Sequence, residues 1–172
     1  MIDLKAYIRN IPDFPKPGIQ FKDITPLLAD PIAFRHAIDR LAVHYDGLPI
    51  DAVAAAEARG FLFAAPLAMK LLKPFVPLRK PGKLPYRTLR HKYELEYGSA
   101  ELHMHSDGIV PGARVLLVDD LLATGGTMAA TLRLVEQVGG HVVGVAFLIE
   151  LAFLHGHDKL KNYPLHSLIV YD

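Results

Sequence analysis

The chain has 172 residues, of which 51% are hydrophobic and 22% are charged. This balance is typical of a globular protein with a sizeable core, and we expect residues 1–172 to form a single domain. Lys and Arg number 19 against 18 Asp and Glu, so the net charge of +1 provides no argument for nucleic-acid binding. The absence of cysteine excludes disulfides, a thiol nucleophile and a cysteine-ligated zinc site, and it fits a reducing cytoplasm.

The predicted elements alternate between strand and helix. A short helix is predicted at 2–9, prolines prevent regular structure at 11–18, and residues 19–24 are expected to be extended or loop. Asp30 is a favourable N-cap, and Pro31 a favourable first residue, for a helix that reaches about residue 45. Further strands are predicted at 51–55, 75–78, 115–118 and 142–149, and further helices at 61–72 and 128–138.

This order predicts an α/β fold with a parallel β-sheet core flanked by helices. The longest apolar run, at 142–149, ends at Glu150 and is too short to span a membrane, so we expect no membrane among the partners. Residues 79–111 differ in composition, being rich in Lys, Arg, His, Tyr and Glu. We expect them to form an inserted β-ribbon or flexible hood loop at the carboxyl edge of the sheet, since long polar insertions are often lids.

The segment 115–127 joins a buried strand to two acids, a loop of small residues and a helix start. The aliphatic run at 115–118 suits a central parallel strand, and Asp119 and Asp120 follow it. The next residues of interest are Ala123, Thr124, Gly125, Gly126 and Thr127. The two glycines allow positive φ and close approach of a ligand, and Thr127 is placed to cap or open the helix. Exposed amides before a helix N-terminus suit a phosphate, and the acids can accept hydrogen bonds from a sugar.

Other polar residues follow predicted strands. Arg59, in a turn with Gly60, presents a planar fork that suits phosphate or diphosphate, although surface arginines are common in such turns. Lys80 and Lys83 lie with Arg79 in a basic stretch that is either a solvated loop or an electrostatic clamp on an anionic leaving group. Glu96 on the predicted ribbon is either a surface residue or a general acid or base.

The segment 115–127 resembles the phosphoribosyl-pyrophosphate (PRPP) motif of the type I phosphoribosyltransferases. With other motifs, the resemblance narrows to the adenine phosphoribosyltransferase family and covers nearly the whole chain. These motifs are PDFP at 12–15, PGIQFKDITP at 17–26, EARGF at 57–61, RKPGKLP at 79–85 and LEYG at 95–98.

The resemblance implies the reaction of adenine with PRPP to give AMP and diphosphate in purine salvage. It assigns the 5′-phosphate and ribose to Asp119, Asp120, Ala123, Thr124, Gly125, Gly126 and Thr127, and the diphosphate to Arg59, Lys80 and Lys83. It assigns adenine to Gln20, Phe21 and Lys22 in a base-side hood segment at 1–30, and catalysis to Glu96 and Arg59, with Tyr97 on the hood. It further implies a homodimer and Mg²⁺ held mainly through PRPP, with Asp119 and Asp120 as further candidate ligands.

Two alternatives stay open on the sequence. One is a phosphoribosyltransferase for another purine base, such as hypoxanthine or xanthine, because the sequence does not orient the groups that read the base. The other is a regulatory module that senses PRPP without turning it over. A transition-metal site at His103 and His105 is the less favoured interpretation of those residues, since no third ligand is placed beside them.

Overall fold

The computed structural model describes residues 2–94 and 99–172. The strands in these residues are β1 Arg9–Ile11, β2 Phe21–Asp23, β3 Ala52–Ala56, β4 Phe75–Leu78, β5 Thr88–Glu94, β6 Ser99–His105, β7 Arg114–Leu122, β8 His141–Leu151 and β9 Leu165–Tyr171. The α-helices are α1 Thr25–Ala29, α2 Pro31–Tyr45, α3 Arg59–Lys70 and α4 Gly126–Gln137, and short 3₁₀ helices span Leu4–Tyr7, Ala152–Leu154 and Gly156–Lys159.

A five-stranded sheet forms the centre, with the order β4-β3-β7-β8-β9 and every neighbouring pair parallel. Alternation along β7 sends side chains to both faces. Leu116 and Val118 pack with the buried side chains of α2 and α3, whereas Val115 and Leu117 pack with those of α4. The predicted parallel sheet flanked by helices is therefore confirmed, with two apolar layers around one central strand.

The start of α2 follows the sequence prediction. Oδ1 of Asp30 accepts hydrogen bonds from the backbone N–H groups of Ile32 and Ala33, both at 2.9 Å, and Pro31 opens the helix. The prediction of a helix at 2–9 is wrong beyond one 3₁₀ turn, because Arg9 already belongs to β1, which pairs with β2. This pairing holds β2 beside the start of α3, where Phe21 lies next to Arg59.

The inserted segment contains the expected antiparallel ribbon. Strands β5 and β6 pair from Thr88 opposite His105 to Glu94 opposite Ser99. The ribbon is joined to the end of β4 by a bridge between Arg79 and His103. None of the helices in residues 2–94 and 99–172 has the length and apolar character needed to cross a membrane.

Candidate active site

The loop after β7 presents backbone amides ahead of a helix, a geometry that suits an anion. Gly125 has φ 77° and is the N-cap of α4, so the helix begins at Gly126, and Thr127 lies inside its first turn rather than at the cap. The first amides of α4 have no partner within the helix, and the helix dipole adds positive potential there. Together with Asp119, this loop lines a small cavity of about 90 Å³.

The acid pair lies within β7, because the strand continues to Leu122. The prediction that this strand ends at residue 118 is therefore wrong. Asp120 is buried, and Asp119 is half-buried with its Oδ1 accepting the Asp120 N–H at 2.9 Å. Burial, and then the neighbouring Asp120 carboxylate, raise the pKa of Asp119 well above its ordinary value. Burial also raises the pKa of Asp120, although the charge of Arg59 opposes that rise. The surroundings of the pair therefore compensate negative charge on these two carboxyls only in part.

Arg59 connects the acid pair to the N-terminal hairpin. It is the first residue of α3, and its Nε lies 2.8 Å from Oδ2 of Asp120. Its guanidinium carbon lies 5.3 Å from the centre of the Phe21 ring, within the range of a cation–π contact. Apart from the ion pair with Arg59, Oδ2 of Asp120 has no hydrogen-bond partner among the residues that the structure describes.

Gly60 allows α3 to approach the acid pair closely. A Cβ at this position would lie 2.9 Å from Oδ1 of Asp119 and 3.3 Å from the carbonyl oxygen of Val118. Any side chain at position 60 would therefore push the helix or the carboxylate away. Glycine at position 60 therefore leaves room for the Asp119 carboxylate.

A larger cavity of about 550 Å³ adjoins the small cavity beside Asp119 and shares Leu121, Ala123 and Thr124 with it. Its lining comprises Gly18, Ile19, Gln20, Phe21, Lys22, Leu121, Ala123, Thr124, Leu151, Phe153 and Leu154. Phe21 packs edge-on against Phe14 at 5.1 Å between ring centres. The Nζ atom of Lys22 donates to Oδ1 of Asn10 at 2.6 Å and lies over the Tyr171 ring, so this side chain has partners of its own at the hairpin. Phe153 and Leu154 are lining residues that the sequence analysis did not select.

The basic stretch after β4 forms a turn beside Glu57. Oε1 of Glu57 accepts the Lys80 N–H at 2.6 Å and lies 3.3 Å from Nε of Arg79. Lys80 and Lys83 are both exposed. The Glu57–Ala58 peptide bond, next to Arg59, is cis.

The ribbon reaches the loop at 123–127. The hydroxyl oxygens of Tyr93 and Thr127 lie 3.5 Å apart, so the end of β5 lies over the first turn of α4. Glu96 and Tyr97, the residues predicted to act from the hood, lie outside the described residues. Gly156 is a further residue that the sequence analysis did not select, although it packs against the loop at Ala123.

The parallel sheet, with the acid pair and the glycine turn at the end of its central strand, defines a type I phosphoribosyltransferase fold. The model of the phosphoribosyl transferase domain matches residues 25–166. The chain is 56% identical over 169 residues to an adenine phosphoribosyltransferase of Roseiflexus sp. strain RS-1, an alignment that covers 98% of each chain.

Solved structures give the same assignment. The crystal structure of adenine phosphoribosyltransferase from Thermoanaerobacter pseudethanolicus has a TM-score of 0.95 at 56% identity and 98% coverage of each chain. The Saccharomyces cerevisiae enzyme, complexed with an imino-altritol bisphosphate and adenine, has a TM-score of 0.92 at 40% identity and 96% coverage of each chain. The chain therefore belongs to the adenine phosphoribosyltransferase family.

Proposed function

We propose that the chain transfers the 5-phosphoribosyl group of PRPP to adenine, giving AMP and diphosphate in purine salvage. The observation that carries this proposal is the bridge formed by Arg59, which contacts Asp120 on the sugar side and Phe21 on the base side. A ligand that fills both adjoining cavities would place its phosphate at the start of α4 and its base beside Phe21. Its anomeric carbon would then lie between them, near Arg59.

The reaction is a displacement at the anomeric carbon of ribose with an oxocarbenium-like transition state. The backbone amides of residues 123–127 would hold the 5′-phosphate, and Asp119 and Asp120 would accept hydrogen bonds from the ribose hydroxyls. Both contacts fix the sugar in position, which lowers the barrier by pre-orienting the reacting atoms. Arg59, with Lys80 and Lys83, would neutralise charge on the departing diphosphate.

On the base side, Phe21 would stack on adenine, and backbone groups of Gln20 and Lys22 would read its edge. The partners of the Lys22 ammonium at Asn10 and Tyr171 support a role for the backbone of this residue rather than its side chain. Glu96 would act as a general acid or base at the purine nitrogen, and Tyr97 would help to exclude water from the closed hood.

The acid pair also fits a divalent cation. Two adjacent carboxylates with raised pKa values, one of them with an oxygen partnered only by Arg59 among the described residues, are oxygen ligands of the kind Mg²⁺ takes in proteins. Asp119 and Asp120 would help to hold Mg²⁺ that arrives with PRPP. The ion would supply charge neutralisation on the leaving diphosphate.

We further propose a homodimer located in the cytoplasm. Large apolar side chains support association: Val43 on α2 is 77% exposed, and Met69 and Leu72 at the end of α3 are 77% and 89% exposed. The cysteine-free composition suits a reducing compartment. Light scattering after gel filtration would test the dimer, and a mass of one chain, 19.0 kDa, would refute it.

The test of the proposed function is nucleotide formation from PRPP, Mg²⁺ and a panel of adenine, hypoxanthine, guanine and xanthine. We expect AMP from adenine and no product from the three oxopurines. Adenine presents a 6-amino donor where oxopurines present an acceptor, so an unmatched edge would leave buried polar groups unpaired. Product from an oxopurine would overturn the base assignment, and PRPP binding without any product would favour the PRPP-sensing module.

A further inference from the structure

Two glycines from distant parts of the chain meet behind the loop at 123–127. A Cβ added to Gly156 would lie 2.1 Å from the carbonyl oxygen of Ala123 and 2.9 Å from Cδ1 of Leu122. A Cβ added to Gly125 would lie 2.7 Å from the carbonyl oxygen of Gly156. Both glycines are buried. Because these distances are so short, the two backbones pack directly against each other and neither position has room for a side chain.

The turn that carries Gly156 is itself fastened to the sheet. Glu150, buried near the end of β8, accepts a hydrogen bond from Oγ of Ser167 on β9 at 2.7 Å. Its other oxygen lies 3.3 Å from Nδ1 of His157, the residue after Gly156. Leu160, at the end of the same 3₁₀ segment, is completely buried. These contacts attach the turn to β8 and β9 through Glu150, and Leu160 anchors its far side in the core.

We propose that Gly156 is a positioning residue for the phosphate-binding loop, acting through the turn that His157 and Glu150 anchor. The turn limits where the Ala123 carbonyl can lie and supports Gly125 in its left-handed conformation. The orientation of the amides that receive the 5′-phosphate follows from both. This inference rests on the proposed function, because it takes residues 123–127 as the phosphate site.

Gly156→Ala is a direct test. The backbone of Gly156 lies outside the left-handed region, so alanine meets only the steric clash with the loop. AMP and adenosine differ by the phosphate alone, and each is measured as an inhibitor of the wild type and the variant. We expect inhibition by AMP to weaken at least ten-fold, inhibition by adenosine to change less than two-fold, and the KM for PRPP to rise more than kcat falls.

Gly140→Ala is the matched control. A Cβ there would lie 2.8 Å from Cγ1 and 3.0 Å from the carbonyl oxygen of Val135, a milder clash at the opposite end of α4. We expect this variant to lose thermal stability without changing the ratio of AMP to adenosine affinity. A ratio unchanged in Gly156→Ala, or lowered equally in both variants, would overturn the positioning role.

A second variant applies if Gly156→Ala is not recovered in folded form. His157→Ala loosens the same turn because it removes the contact with Glu150. It places no new atom in the loop, and the side chain that it truncates is 54% exposed. A selective loss of AMP affinity of two-fold or more supports the proposal, and equal affinity overturns it. Wild-type protein that makes no AMP refutes the proposed function, whereas active wild type with an unchanged ratio in the variants refutes only the role of Gly156.

Discussion

Removal of Arg59 should lower the stability of the fold, because the buried carboxylate of Asp120 loses its charged partner. Its Nε lies 2.8 Å from Asp120, whose side chain is only 6% exposed, while the Arg59 side chain is 37% exposed. Breaking a fully buried ion pair costs about 3–5 kcal/mol, because one charge stays buried without a partner. Water reaches Arg59, so we expect Arg59→Ala to lower the free energy of unfolding by about 2 kcal/mol at pH 8. For a chain of this length that loss corresponds to roughly 4–8 °C in Tm.

The loss should depend on pH in a defined direction. Burial raises the pKa of Asp120 while Arg59 holds it down, so the variant should have a still higher pKa for this group. A carboxyl whose pKa is higher folded than unfolded favours folding while it is protonated, and that contribution disappears as pH rises through the folded pKa. Two pKa values of folded Asp120 matter here, that of the wild type and the higher one of Arg59→Ala. Between them, the stability of the wild type no longer falls with pH, whereas the stability of the variant still falls. The destabilisation should therefore grow as pH rises across that interval, both ends of which lie above the ordinary Asp value, and shrink in acid.

Urea unfolding of Arg59→Ala and wild type from pH 4 to pH 8 measures this difference. Arg114→Ala is the matched control, because Arg114 and Asp51 also lie 2.8 Å apart but are both partly exposed. Arg114 keeps the pKa of Asp51 below its usual range, so the control should show no growth in destabilisation from pH 5 to pH 8. A destabilisation by Arg59→Ala that is flat over that range would mean that Arg59 does not compensate the buried charge of Asp120. The loss of a charged contact to diphosphate should also lower kcat/KM by about 100-fold.

Three further variants separate stability from function. Asp119→Asn should raise Tm at pH 8, because it removes a carboxylate whose charged form burial disfavours. The same variant should raise the KM for PRPP by roughly ten-fold or more. A lower Tm would show that the charge of Asp119 is well compensated. Gly60→Ala should lower the free energy of unfolding by about 1–3 kcal/mol and weaken PRPP binding, since its Cβ would lie 2.9 Å from the Asp119 carboxylate. Denaturant unfolding and a KM for PRPP that both stay unchanged would contradict the close approach of α3 to Asp119. Glu96→Ala should lower kcat by about 100-fold with little change in KM, and steady-state kinetics showing a pure KM effect would favour a binding role.

The sequence predicts those parts of the fold that depend on neighbouring residues. The start of α2 follows from Asp30 and Pro31, because capping and the fixed φ of proline act within one turn. The left-handed residue before α4 likewise follows from a glycine at position 125. Strand ends are less local: β7 continues to Leu122 because β8 offers partners as far as Glu150, which the pattern at 115–118 does not reveal.

The remaining features of the site arise from contacts between distant segments. Arg59 and Asp120 are each recognisable as candidate site residues, but their ion pair exists only because α3 begins beside β7. Gly156 lies in a His-Gly-His-Asp stretch that resembles any surface turn, and only its packing against Ala123 distinguishes it. Phe153 and Leu154 line the larger cavity although apolar residues after a strand ordinarily predict core.

The raised pKa values of the acid pair lead to a prediction about ligand binding itself. Ribose hydroxyls donate hydrogen bonds best to charged carboxylates, so a bound nucleotide should lower the pKa values of Asp119 and Asp120. Binding should then release protons, and the released fraction should be largest where the pH lies between the pKa values of the free and the ligand-bound pair. Calorimetric titration with AMP in buffers of different ionisation enthalpy measures that fraction.

The AMP phosphate also titrates near neutral pH, at a pKa of about 6, so its contribution must be separated. Asp119→Asn provides the separation, because it keeps the phosphate loop and removes one carboxyl of the pair. A smaller proton release in this variant assigns the difference to the acids. Equal release in both proteins would mean that the pair is already charged before the ligand binds, and the carboxylates would then be compensated by groups other than the substrate.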